Sequence, residues 1–178
     1  MDFKQIWEDF FTTWKQIVTK PEEFFEKWDP NEEWEKVLKF CGICGLLAGL
    51  ITTVLTLFSG VATLILYPLF ILIGTVIGGV ILFICFKLVG GKGEIEPTIK
   101  MMGYTQAVSV VSMGVPIVGV FAALYQLWLL VVGGKKVHQL DTPHAAIAVV
   151  IPVVAIGGLL ALLTLLGFGM VSMMMSGR

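Results

Sequence analysis

Between Met101 and Gly134 the chain contains no Asp, Glu, Lys, Arg or His. Charge is scarce overall, with 14% of residues charged against 57% hydrophobic, and it is confined to the N-terminal segment, two loops and the last residue, which excludes an ordinary soluble domain. No ionisable group falls near the centre of any apolar run. Proton relays, coupling-ion sites and charged-substrate paths need such groups, so their absence counts against a secondary active transporter. Cysteine is limited to Cys41, Cys44 and Cys85. An odd number of thiols at one membrane face gives no disulfide framework. A zinc site with His138 and His144 is disfavoured because Cys-x-x-Cys inside a helix lacks the loop that aims both thiolates. Catalytic signatures are missing too: there is no His-Glu-x-x-His, and Gly90-Gly91-Lys92-Gly93 neither follows a strand nor has P-loop spacing. The start of the chain lacks an apolar signal core and cleavage site, Asp2 rules out N-myristoylation, and the final Met-Ser-Gly-Arg carries no prenylation cysteine. The expectation is therefore a protein with no enzyme activity, cofactor, metal or nucleic-acid partner.

What is present is a set of long apolar runs. They predict an all-α, polytopic membrane helical bundle with an N-terminal amphipathic helix, divided into a capped segment over 1–36 and a membrane domain over 37–178. The uncharged stretch from Met101 would make a helix of roughly 50 Å, against a hydrocarbon core of about 30 Å. Gly114, Pro116 and Gly119 interrupt it, so two crossings turning between Gly114 and Gly119 are expected. The total is five spans, near 38–58, 61–86, 98–114, 117–133 and 145–170. Spans 3 and 4 come out shorter than the usual ~20 residues, which predicts either extension towards Pro97 and Lys135 or local bilayer thinning.

Lysine placement tests the count. Lys4, Lys15, Lys20, Lys27, Lys36 and Lys39 precede span 1; Lys87, Lys92 and Lys100 follow span 2; Lys135 and Lys136 follow span 4. With five spans all lie on one side and only Arg178 on the other. The positive-inside rule then predicts a cytoplasmic N-terminus and an extracytoplasmic C-terminus.

Residues 1–18 have helical periodicity. Phe3, Ile6, Trp7, Phe10, Phe11, Trp14, Ile17 and Val18 share an arc of about 140°, and polar residues fill the rest. Such a helix suits the headgroup layer beside its own bundle, or a partner's groove. Thr19-Lys20-Pro21-Glu22 fits a capping box launching a short helix with Phe24, Phe25 and Trp28, and Asp29-Pro30-Asn31-Glu32 repeats that grammar before span 1. Pro68 is expected to bend span 2 or mark where its regular part begins. Gly133 to His144 is expected to be a polar connection.

Gly45 with Gly49, and Gly74 with Gly78, have helix-packing spacing, within the bundle or between copies. Thr52, Thr53, Thr56, Thr75, Ser109 and Ser112 are candidates to line a polar route, but membrane hydroxyls more often bond to helix carbonyls. Glu94 and Glu96, beside Lys92 and Lys100, read as solvated loop charges or partner contacts.

Several segments together resemble the Yip family, Rab-GTPase-interacting membrane proteins with a five-span domain, and particularly its prokaryotic branch. These are Lys20-Pro21-Glu22-Glu23-Phe24-Phe25, Gly90-Gly91-Lys92-Gly93 followed by Gly103-Tyr104, and the Gly133 to Ala145 connection with Val137-His138. Prokaryotic members often carry a proline soon after the Gly-Tyr pair; here Gln106-Ala107 stand there, and the proline comes at Pro116. The resemblance implies the same topology, and a role in binding prenylated Rab GTPases, partnering other family members and shaping secretory membranes. A Rab-type small GTPase enters only in a eukaryotic host.

The expected function is a non-enzymatic, trafficking-like membrane scaffold or adaptor that self-associates or joins other membrane proteins and contacts lipid. Candidate contact residues are Phe3, Trp7, Phe10, Phe11, Trp14, Pro21, Phe24, Phe25, Glu94, Glu96, Gly103, Tyr104, Lys135, Lys136 and His138. The competing class is a channel or carrier for small neutral or lipidic substrates.

Overall fold

The computed structural model describes residues 3–55, 61–112 and 116–176, with side chains described to residue 166 except at 3, 116 and 117. Every regular element among them is helical: α1 (Phe3–Thr19), α2 (Pro21–Lys27), α3 (Trp34–Leu55), α4 (Thr63–Leu88), α5 (Ile95–Thr105), a 3-10 turn (Gln106–Val108), α6 (Ser109–Ser112), α7 (Pro116–His138) and α8 (Thr142–Ser176). Four helices are long and apolar enough to cross a bilayer: α3, α4, α7 from Val118, and α8 to Leu166. Their exposed surface is largely leucine, isoleucine and valine, which water does not tolerate over such an area.

The expected third crossing is not one continuous α-helix. It runs from Ile95 to Ser112 as α5, the 3-10 turn and α6, and the turn falls on Gln106-Ala107, where the sequence departs from the family pattern. Trp14 Nε1 donates to the Ala107 carbonyl at 2.9 Å, so α1 docks on this break. Of the expected turn from Gly114 to Gly119, Pro116 and Gly119 lie inside α7. α7 opens at Pro116, a residue suited to the first helical position, and a Cβ at Gly119 would lie 3.4 Å from the Ser112 carbonyl oxygen. Gly114 lies outside the described residues, as do Thr56 and Ser59-Gly60. α7 has 23 residues, about 34 Å, an ordinary crossing length. α7 thus extends beyond the expected 117–133 at its C-terminal end, which removes the short-span argument for thinning there.

The expected polar connection from Gly133 to His144 is corrected to three residues, Gln139 to Asp141. Gly133 and Gly134 lie inside α7 because neighbours need the space of their missing side chains: a Cβ would stand 2.6 Å from Met101 Cγ and 2.2 Å from Phe86 Cζ respectively. α7 ends at His138, and Gln139, with φ of 54°, takes the left-handed position after it that is usual for glycine. Asp141 Oδ1 then accepts from the His144 main-chain N–H at 3.2 Å, and His144 holds the Asp141 carboxyl below its usual range.

Both expected caps differ. Thr19 stays in α1, its hydroxyl donating back to Lys15 O at 2.7 Å, because that carbonyl competes successfully for it. α2 begins after Lys20 with no side-chain cap. Asp29 makes a local turn instead, accepting from Asn31 N at 2.9 Å on its side chain, and α3 starts only at Trp34.

Gly45 and Gly49 face the start of α4, where added Cβ atoms would meet Pro68 Cα at 2.5 Å and Thr63 O at 2.8 Å. Pro68 is thereby accommodated inside α4. Gly74 faces open space and Gly78 meets only the Met102 side chain; the close approach is at Gly79, 2.8 Å from Ile99 Cα. Thr53 and Ser112 hydroxyls bond to main-chain carbonyls of their own helices, and Ser109 to the Gln106 carbonyl of the preceding 3-10 turn.

Candidate functional site

The charged ends of the helices gather at one end of the bundle. Phe86 near the end of α4 and Thr98 in α5 both contact His138 at the end of α7, so the lysines at 87, 92, 100, 135 and 136 belong to the same end.

His138 is the centre of a closed node. It is fully buried, stacked on Phe86 with ring centroids 4.4 Å apart. Its Nε2 lies 2.9 Å from Thr98 Oγ1, and Thr98 Oγ1 donates to Glu94 O at 2.6 Å. A hydroxyl has one proton, so Thr98 accepts from the histidine, which is therefore protonated on Nε2. Nδ1 then faces Gly91 and Gly93, where a Cβ at either position would stand 2.9 Å away, and has no hydrogen-bond partner among the described residues. The His138 carbonyl accepts from Lys92 N at 3.0 Å, and Gly91 N donates to Phe86 O at 2.8 Å. The glycine loop is thus folded onto His138, and its backbone hydrogen bonds go to the protein itself. Gly90, with φ of 89°, supplies the left-handed residue after α4.

A second node joins the N-terminal segment to α5. Lys100, 2% exposed, donates to Glu32 O at 2.6 Å, pairs with Glu96 at 2.7 Å and sits 5.2 Å over the Trp34 ring. Glu96 is therefore half of an i,i+4 pair and not a free loop charge. Lys100, which the sequence offers only as a neighbouring loop charge, is the centre of this node, and its i,i+4 spacing from Glu96 is the signal that points to it. Trp28 Nε1 hydrogen-bonds to Glu32 Oε1. Tyr104 packs edge-on to Phe24 and Trp28 and against Phe40. Gly103 lets α5 approach α3, a Cβ there standing 2.6 Å from Val37 Cγ1.

The aromatic stripe of α1 divides. Phe10 is buried against Phe40, Trp7 and Trp14 are half-buried, and Phe11 is exposed; the Phe3 side chain lies outside the described residues. Phe25 is buried beside Gly133, with Phe24 and Pro21 half-buried. Lys136 is exposed at the end of α7 and Lys135 half-buried. Glu94 is exposed. A cleft of about 340 Å³ between α1 and α2 is lined by Gln16, Lys20, Glu23, Phe24, Lys27 and Trp28, with the Lys20 ammonium holding the Glu23 carboxyl below its usual range. The three cysteines are free and buried, and among the described residues no three His, Cys, Asp or Glu side chains converge on a metal position.

The Lys20 to Phe25 segment, the glycine loop, Gly103-Tyr104 and Gly133 to His138 thus meet in two adjoining nodes. The Yip1 domain model matches residues 15–165, most of the chain and every one of these segments. The chain belongs to the Yip1 family. As a Yip1 family member with several apolar helices of crossing length it is an integral membrane protein in contact with lipid. No curated protein and no solved structure gave a significant match.

Proposed function

We propose that this Yip1 protein is a non-enzymatic membrane scaffold or adaptor with five crossings, its N-terminus cytoplasmic and its C-terminus extracytoplasmic. One observation carries the reading: the polar and motif residues at the lysine-bearing end are bonded within the bundle, His138 to Thr98 and the glycine loop in one node and Lys100 to Glu32 and Glu96 in the other. They form a rigid platform whose exposed rim carries Glu94, Lys92 and Lys136. A rigid charged surface serves recognition, whereas catalysis or transport needs titratable groups converging on an accessible site. The fifth crossing is the broken stretch from Ile95 to Ser112, about 27 Å if helical throughout, which returns along α7. This count keeps every lysine on one side, as the positive-inside rule favours.

Partners on this reading are lipids, other membrane proteins or further copies of the chain, and a small GTPase where the host has one of the Rab type. The test is purification of the full chain from native membranes in mild detergent, followed by identification of what co-purifies. A stoichiometric protein lost on combined Glu94→Lys and Lys136→Glu substitution supports the scaffold. Flux of a small neutral solute into liposomes holding the purified chain, with no partner retained, favours the carrier and overturns it.

A further inference from the structure

We infer that the bundle meets lipid at two different heights, because α1 and α2 form a hairpin that stands where lysine-side leaflet lipid would otherwise lie on one flank. Three contacts fix its course. Phe10 packs on Phe40, level with Tyr104; Trp14 reaches the Ala107 carbonyl; and Tyr125 Oη donates to Val18 O at 2.9 Å. The chain then turns at Lys20-Pro21 and climbs back along α7, so that Phe25 sits beside Gly133 and Glu32 receives Lys100.

Height follows from helix rise. Ala107 is about 10 Å beyond Lys100 along its segment, and Tyr125 about 15 Å beyond Lys135 along α7. The tip of the hairpin therefore lies about a third to a half of the way through a ~30 Å hydrocarbon core measured from the lysine level. Yet Lys15, Lys20, Glu22 and Glu23 are exposed at or near it. Ionised side chains at that depth need water or headgroups, so hydrocarbon on this flank begins beyond the tip.

The opposite flank requires the reverse. Close approaches of Gly79 to Ile99 and Gly103 to Thr75 set α4 level with α5, which puts Ala107 near the height of Ile71. Between that height and Lys87, α4 exposes Ile73, Val76, Ile77, Ile81 and Ile84, all between 38% and 55%. Such a row needs lipid up to Ile84. α4 packs on α3, α5 and α8, whereas α1 packs on α2 and the 3-10 turn and α2 on α7, so the two surfaces lie on different flanks. A bilayer meets such a step by thinning, bending or tilting against the protein, each at a modest cost.

The inference rests on the membrane reading above only for the bundle's placement across a bilayer. The full chain carrying a single added cysteine, Glu22→Cys or Ile77→Cys, is spin-labelled and reconstituted in dioleoylphosphatidylcholine vesicles. Collision with oxygen and with a water-soluble nickel chelate is then compared, the parent chain with its three buried cysteines serving as the blank. The label at 22 is expected to favour the chelate and that at 77 to favour oxygen. Oxygen preference at both overturns the inference while leaving the crossing intact. Chelate preference at 77 overturns the placement itself.

Discussion

Gly134 and Gly74 both sit in apolar helices, but a methyl group at Gly134 collides with the Phe86 ring and one at Gly74 meets open space. Gly134→Ala is expected to cost ~1–3 kcal/mol through overpacking, and Gly74→Ala nothing, since alanine is the better helix former. Thermal unfolding in detergent compares them. Thr98→Val keeps the shape of the side chain but removes the acceptor of the His138 Nε2 proton; a buried donor left unpaired costs ~1–3 kcal/mol in the same assay. A substitution without effect there would show that the histidine node does not hold the loop. The sequence drew attention to His138 as a contact residue, and to Tyr104, only through family likeness, since no local pattern announces that residues 40 positions apart, Thr98 and His138, will bond. Gly79 was missed for a related reason: small-residue spacing marks a helix face without saying which turn the neighbour crosses.

Helix periods and proline positions made the elements largely readable. The amphipathic stripe of α1, the start of α7 at Pro116 and the continuous α3 follow from side-chain arithmetic. The 3-10 turn at Gln106–Val108 does not, because nothing in those residues opposes an α-helix; the Ala107 carbonyl in it is satisfied by Trp14, 93 residues away. The α7 to α8 turn was overestimated because glycine pairs and charges usually mark loops, whereas here the glycines serve packing. Its residual chemistry is testable. Asp141 has a lowered pKa when folded, so its stabilising contribution is complete above its ordinary value near 3.8 and is lost as pH falls through the lower folded value. The difference in melting temperature between the parent and Asp141→Asn is therefore expected to shrink between pH 6 and pH 2. A difference unchanged over that range would remove the charge-assisted cap.

For the whole molecule, composition alone specified a helical membrane protein, and the lysine pattern specified which helix ends come together. Packing adds that the N-terminal segment belongs to the bundle: it is fastened through Phe10, Trp14, Val18, Phe25 and Glu32 and is no free tail. The account then depends on parity, because a scaffold presenting its lysine-bearing platform to the cytoplasm requires the broken stretch from Ile95 to Ser112 to cross. Reporter fusions that are active on only one side of the membrane decide this, placed after residue 178 and, separately, in the Gln139 to Asp141 turn. Five crossings predict an extracytoplasmic signal from the first and a cytoplasmic signal from the second, with the N-terminus also cytoplasmic. A C-terminus on the same side as the N-terminus, with the 139–141 turn outside, would contradict it.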